Sequence, residues 1–426
     1  MVSTTPKSVA IIGASVGGLT LGLTLKSHGI QPRVFEFRGP DHDLDGAMSL
    51  TPNALRCLDS IGAYSRIKSQ GYNFEAFTFL TDPEHEVTGK LFFGKKDVYG
   101  YDSLRITRKV IIAELRMMAE EAGIEILYGK KFTKIVNEDA NGVEFEFADG
   151  TRERDEMLIG SDGIHSKVRS YLFPDVHPHY TGFLGLTYCF PSDNWELGKN
   201  LPLPVSLRGK EGSFIITPQT EGGKELFVGR QLKFEKKDRA GWAQLLEDKD
   251  ALIKILQQDP AAWTPLVQAV QSQVSTPEAH FLNVWPFYDL TSEMDRWHST
   301  HGRVVITGDA AHAIPPSAGQ GANSAFESSY SLGLILANLK DNVSLSDALA
   351  AWEIYRMERM REVLRVTNLV MTLRMTDEQR AEMPEDMKGE LDSDDAGKSQ
   401  LGWLYLVDID RDVRKILESL EGRDRS

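Results

Sequence analysis

Three stretches carry residues whose types and spacing could do chemistry. The longest runs from Gly308 to Glu327, GDAAHAIPPSAGQGANSAFE. An apolar run, Val304-Val305-Ile306, enters it like a buried strand. Pro315-Pro316 forbids a helix, and Gly319-Gln320-Gly321 opens a segment of helical spacing. An aspartate at a strand end can accept hydrogen bonds from ribitol or ribose hydroxyls. A helix start offers unpaired N–H groups and partial positive charge. Such a stretch suits a large cofactor.

The second stretch begins near the N-terminus. Ser8 to Ile12 reads as a central parallel strand, followed by Gly13-Ala14-Ser15-Val16-Gly17-Gly18, an apolar helix from Leu19, and a second strand ending in Glu36. This is the dinucleotide fingerprint, with Glu36 placed to accept the adenosine ribose hydroxyls. It departs from pattern at Ser15, where the middle glycine belongs. The competing reading is a tight strand-to-helix turn in an unrelated α/β protein. The third stretch, Leu158 to Arg169 (LIGSDGIHSKVR), again ends a strand in Asp-Gly before a helix carrying basic residues. Arg108, in the first turn of an amphipathic helix over Val110, Ile111, Leu115, Met118 and Ala119, opposes the helix dipole, which favours a phosphate partner.

The elements that must position these residues follow from the rest of the chain. Its 426 residues suffice for two domains or one with an insertion, and a formal charge of -14 argues against a nucleic-acid partner. Gly46-Ala47 to Ala54 reads as a loop feeding a short helix, 72–104 as strands, and 125–159 as strands around an Asp149-Gly150 turn. Short alternating runs fill 172–290, with one helix from Trp242 to Leu256. A long helix spans Ser346 to Met371, 375–399 is a polar loop, and Leu401 to Val407 packs back onto the body. The expected fold class is α/β: a Rossmann-like dinucleotide-binding domain with an inserted antiparallel-sheet substrate domain and C-terminal helices. The expected divisions are 1–171 (with part of the substrate sheet near 72–104), 172–290, 291–375 and 376–426. Cys57 and Cys189 form neither a redox pair nor a zinc set, so two buried thiols are expected. The N-terminus reads as a first strand and not a signal peptide, and no run reaches a membrane span. A cytoplasmic setting is the expectation.

Together the fingerprint, the Asp-Gly segment and the Gly-Asp segment resemble the class A flavoprotein monooxygenases, with the p-hydroxybenzoate hydroxylase fold. The salicylate-hydroxylase-type and fungal secondary-metabolite enzymes are the branches most alike. Pro52-Asn53-Ala54, Arg108 and Trp285-Pro286-Phe287 add to the resemblance, which covers essentially the whole chain. It implies FAD held by Gly13, Ser15, Gly18 and Glu36 at the adenosine end. Gly46, Ala47 and Arg108 follow, the last at the pyrophosphate. Asp309 would take the ribitol, with Pro316, Gly319, Gly321, Ala322 and Asn323 along the flavin ring. Asp162 and Gly163 would serve FAD and transient binding of NADPH or NADH. The implied reaction uses O2 and a flavin C4a-hydroperoxide to place one oxygen on an electron-rich aromatic or alkene carbon of a small, aromatic or polycyclic substrate.

Departures from the family pattern fall mostly in the substrate region. Thr187 stands where many relatives have an anchoring arginine, and Ser328 where an aspartate is common. Thr187, Tyr188, Arg208 and Arg230 are the pocket candidates, with core or surface packing as the competing role for each. His312 and His165 read as loop-satisfying histidines before catalytic bases, and His177 with His179 lacks metal partners, so no metal is expected. Alternatives are a reductase or dehydrogenase on the same fold and a non-catalytic FAD carrier; a halogenase is disfavoured by the lack of a Trp-x-Trp motif. A monomer or homodimer is expected.

Overall fold

The computed structural model describes residues 5–42, 46–82, 84–290, 294–382 and 401–423. At its centre lies a five-stranded, all-parallel sheet in the order Val304–Ile306, Met157–Gly160, Ser8–Ile12, Gln31–Phe35, Glu125–Leu127. The first three of these strands are nearly continuous apolar runs because helices cover both faces. Val9, Ala10, Ile11, Leu158, Ile159, Val304, Val305 and Ile306 are fully buried, and each large one contributes roughly 1.5–3 kcal/mol of burial. Three strand ends of this sheet, at Ile12, Gly160 and Ile306, lead directly into the three chemistry-bearing stretches. Parallel pairing therefore brings together segments almost 300 residues apart, at the carboxyl edge where open α/β sheets bind ligands.

A seven-stranded sheet stands beside it, in the order His280–Asp289, His179–Pro191, Glu225–Lys233, Gly212–Pro218, Val205–Gly209, Ala76–Thr81, Val87–Phe92. All its pairs are antiparallel except Val205–Gly209 with Ala76–Thr81. Alternation gives it two unlike faces. Leu184, Leu186, Tyr188, Phe190, Val205, Leu207, Phe214, Ile216 and Val228 share a core with the helices Lys249–Leu256 and Pro265–Gln273. The residues between them face the parallel-sheet body.

Several expectations need correction. Ala47–Leu50 is a strand paired to Ser103–Thr107, not a loop; Met48 and Leu50 alternate inward, a signal too short to read in four residues. The expected single helix from Trp242 to Leu256 is two, Arg239–Glu247 and Lys249–Leu256, because Asp248 leaves helical geometry and caps Ala251 N at 3.0 Å. The helix Ile409–Arg423 is one of the expected C-terminal helices, though no bounds were assigned to it. The long helix spans Leu345–Leu373, and Leu401, Leu404, Tyr405 and Val407 pack back onto the body as expected. Of the polar loop, 375–382 includes the helical turn Asp377–Ala381, and 383–399 lies outside the described residues. Both cysteines are buried. No helix among the described residues is long and apolar enough to cross a membrane.

Candidate cofactor cleft and adjoining pocket

The first turn is built by close contact. Gly13 has φ +107°, and a Cβ there would lie 2.4 Å from Ser161 O; one on Gly18 would lie 2.0 Å from Gly13 O. Only glycine fits either position. Ser15 is different: at φ -79° it needs no glycine, its hydroxyl accepts from Gly18 N at 3.1 Å as the N-cap, and it lies 2.8 Å from Ser161 Oγ. Glu36 sits at the next strand's end, where Oε2 accepts from Ala14 N and Oε1 from Arg38 N, both at 2.8 Å. It thereby fixes the glycine turn and keeps lone pairs for a ligand. In the Asp-Gly segment, Asp162 Oδ2 accepts from Lys167 N at 2.8 Å and Val168 N at 3.3 Å, while Oδ1 is buried without a partner. Burial raises its carboxyl above the ordinary range.

Across the cleft, Asp309 follows Gly308 at the end of its strand. Its side chain is open to solvent in the cleft, yet the protein packed around it raises its carboxyl by desolvation, with the charge of Arg108 opposing. Arg108 shows the mirror effect: burial lowers it, Asp309 opposes, and its Nε is buried with no partner. Its backbone N donates to Gly46 O at 2.9 Å. Both charges are thus desolvated more than they are compensated. The helix Gly321–Ala337 starts with no side-chain cap, because Gln320 turns away to donate to Thr51 Oγ1 at 3.1 Å. Above Gly321 there is open space. Asn323 acts as a strut, accepting from Thr51 N at 2.9 Å and donating to Ser49 O at 2.9 Å and Gly319 O at 2.6 Å. Pro316 is exposed, while Gly319 and Ala322 are half-buried at the cleft wall, and Ala47 pairs with Thr107 beneath it.

These features fit FAD. The orphaned Arg108 Nε and the uncapped helix start are donors for phosphate and flavin oxygens. Asp309 and the unpartnered Asp162 oxygen are acceptors for hydroxyls, and the clash-limited glycines leave backbone bare.

Behind the cleft lies a buried charge cluster. Glu327 accepts from Arg356 at 2.5 Å, from Arg359 at 2.7 and 2.8 Å, and from Asn53 at 2.6 Å. Burial alone would raise its carboxyl, but Arg359 and Arg356 hold it at about 2. Ser328 accepts from Arg356 Nε at 3.0 Å and lies 2.8 Å from His312 Nε2. Burial, then the Arg356 charge, pushes the His312 imidazole down to about 3, so it is neutral and a feeble base. Its side-chain partner is this hydroxyl. His165 is exposed.

A small enclosed pocket opens between Gly46 and the inner face of the large sheet, lined by Thr187, Cys189, Gln219, Phe227, Phe281 and Asn283. Thr187 lines it, its Oγ1 accepting from Trp285 Nε1 at 3.1 Å. Tyr188 and Arg230 do not: strand alternation turns both to the opposite core. Tyr188 OH donates to Val270 O at 2.7 Å and Arg230 Nη1 to Ile255 O at 2.7 Å. Arg208 shares the inner face in the row Gly185–Gln231–Ser213–Arg208, away from the pocket lining.

Two residues went unnoticed in the sequence. Arg105 is 8% exposed, donates to Gln219 Oε1 at 2.9 Å and Ser49 Oγ at 3.2 Å, and lies 4.5 Å from the Phe227 ring centre. Arg374, 5% exposed, donates to Ser317 O at 2.7 Å over Phe77. Neither has an acid partner among the described residues, and burial lowers each guanidinium to about 10. The available signal was an arginine inside the apolar strand Ser103–Thr107.

Comparisons with known proteins agree on one kind of molecule. The family model described as FAD binding domain matches residues 7–367. The chain is 28% identical over 388 residues to a dual trans-enoyl reductase/FAD-dependent monooxygenase of Aspergillus terreus, covering 86% of this chain and 52% of that protein, so it spans about half of that relative's length. It is 26% identical to the 6-hydroxynicotinate 3-monooxygenase of Bordetella bronchiseptica, covering 84% and 90% of the two chains. Its fold matches that of Klebsiella pneumoniae HpxO, solved with FAD and uric acid, at a TM-score of 0.72 and 20% identity over 97% and 96% of the two chains.

Proposed function

We propose that this chain, which belongs to the FAD binding domain family as a class A FAD-dependent aromatic monooxygenase, hydroxylates an electron-rich aromatic ring bearing an acidic or carbonyl oxygen. The buried Arg105 guanidinium, with no acid partner among the described residues, carries this reading: it lies just behind the pocket-lining Gln219 and Phe227. A buried cation without a counter-charge is costly, and an anionic or strongly polarised substrate oxygen would offset that cost. Arg105 would orient the ring, with Gln219 holding the guanidinium and Phe227 lying against its face. Trp285 and Phe281 would exclude water.

FAD, reduced by NADPH or NADH, supplies the activation of O2 when bound. The protein's part is position and charge: Arg108 for the pyrophosphate, Asp309 for the ribitol, and the uncapped helix start at Gly321 for negative charge on the flavin pyrimidine. Relatives named as monooxygenases and hydroxylases support oxygen insertion over the hydride-only alternative. The division into 1–171, 172–290, 291–375 and 376–426 stands as part of this proposal, with the pocket lying between the first two.

The test is a screen of phenolic and heteroaromatic acids for stimulated NAD(P)H consumption, followed by isotope-labelled O2. Label in the product supports the reading. Turnover under strict anaerobiosis sinks it in favour of a dehydrogenase.

A further inference from the structure

Beside the pocket, three potential ligands come from three neighbouring strands. Cys189 is paired with Phe227 on one side and His280 on the other, and Glu225 lies two residues before Phe227, so all three side chains share the inner face. Their ligand atoms lie within 4.8 Å of one another. A register irregularity between Thr187 and Cys189, together with Phe281 at φ +53°, re-aims the strand just after His280.

The hydrogen bonds of His280 already orient its ring toward the cluster. Its Nδ1 is 3.0 Å from Glu278 O, a carbonyl that only accepts, so Nδ1 carries the proton. Nε2 is then a lone pair, yet it sits 2.8 Å from Glu225 Oε2, also an acceptor. A proton between them makes this an ordinary imidazole–carboxylate pair, and a divalent ion entering the cluster takes that proton's place. A backbone carbonyl on Nδ1 is also the arrangement that orients histidine ligands in metal sites. With a thiol as the third member, the set of sulfur, nitrogen and oxygen suits a borderline-soft divalent ion. Ligand atoms about 2.0–2.3 Å from zinc sit roughly 3.3–3.8 Å apart in a tetrahedron. His280 is exposed at the sheet edge, so metal entry would have to widen its 2.8 Å contact with Glu225 to that separation.

We propose that Cys189, Glu225 and His280 form a zinc-class divalent cation site at the edge of the large sheet, beside the mouth of the pocket. Binding displaces the Cys189 thiol proton to solvent, gives the metal a thiolate, an imidazole and a carboxylate, and leaves a fourth position for water. Cys189 also lines the pocket and Phe281 adjoins His280, so an occupied site narrows the pocket and raises KM for the aromatic substrate without altering flavin content. That last consequence rests on the proposed function; metal binding itself does not.

The test is titration of the flavin-loaded protein with Zn2+ by calorimetry and with Co2+ by difference spectroscopy. One ion per chain is expected, with cobalt d–d bands to the red of the flavin and a thiolate charge-transfer band. His280→Ala, an exposed position that leaves the flavin spectrum as a fold check, should weaken Zn2+ binding on the order of tenfold or more. Cys189→Ser should abolish the thiolate band; if it fails to fold, Glu225→Gln replaces it in the affinity comparison. Equal affinity in the wild type and His280→Ala, or cobalt bound without a thiolate band, overturns the site. Zinc that binds tightly but leaves KM unchanged overturns only the consequence for the pocket.

Discussion

Ser15 Oγ lies 2.8 Å from Ser161 Oγ, so the turns after two neighbouring parallel strands are pinned together by their hydroxyls. The same Ser15 oxygen accepts from Gly18 N and caps the first helix. A glycine in that place would supply neither bond, which gives the departure from the fingerprint a physical reason. The φ of -79° also shows that the position has no need of glycine.

Ser15→Ala removes a cap and a bridge whose combined worth is about 1–2 kcal/mol. Thermal unfolding of the flavin-free protein should show that loss, with flavin affinity changing less than it does in the Asp309 and Arg108 variants below. An unchanged melting temperature would mean that the Ser15 contacts contribute nothing to the fold.

Arg108 and Asp309 each carry a charge that the cleft desolvates, and both shifts follow from desolvation outweighing their mutual attraction. A bound cofactor relieves both. Asp309→Ala should purify as largely flavin-free protein, and Arg108→Ala should weaken FAD more than aromatic substrate. Charge-assisted hydrogen bonds of roughly 1.5–3 kcal/mol correspond to about 10- to 150-fold in Kd. Flavin titration of the apo-proteins reads this directly. A stoichiometrically yellow Asp309→Ala protein would remove that residue from the cofactor site.

What could be read from the chain was local and contiguous. Each glycine turn announces itself because backbone crowding of the kind seen at Gly13 and Gly18 admits one residue type. The apolar runs at Ser8 and Val304 announce buried strands for a similar reason. The inner face of the large sheet was not legible in this way. Thr187 and Tyr188 are adjacent in sequence and face opposite cores, and only the register against Gly229 and Val228 says which is which. Arg105 lies 114 residues from its partner Gln219, so no spacing rule connects them. The break at Asp248 was missed because a capping aspartate inside a helical pattern resembles an exposed polar residue. His312 reads as a loop-satisfying histidine from its motif, and its setting beside Arg356 depends on a helix that begins more than thirty residues later.

Arg105 gives the substrate proposal its sharpest handle. Arg105→Met keeps the bulk and removes the charge, so the buried strand should hold and FAD content should remain near wild type. Catalytic efficiency toward acidic phenols should fall by about 10- to 100-fold, the equivalent of one charge-assisted contact. Neutral aromatic substrates should lose much less. A uniform loss across both classes, measured by stimulated NAD(P)H oxidation, would show that Arg105 serves packing and not recognition.

The Glu327 cluster predicts the acid side of the stability curve. Its carboxyl titrates near 4.5 when unperturbed and is held at about 2 in the folded protein by Arg359 and Arg356. A depressed carboxyl pKa means that the unfolded chain binds the proton more readily. The group's stabilisation is therefore fully present above about pH 4.5 and is lost as pH falls toward about 2. Glu327→Gln leaves two buried guanidinium groups without their charge partner, a change that costs roughly 3–5 kcal/mol. The variant should melt well below the wild type at neutral pH, and the gap should shrink as pH is lowered through that window. A gap that stays constant with pH would mean that the ion pairs are not its source, leaving lost hydrogen-bond geometry around Asn53 and Ser328 as the cause.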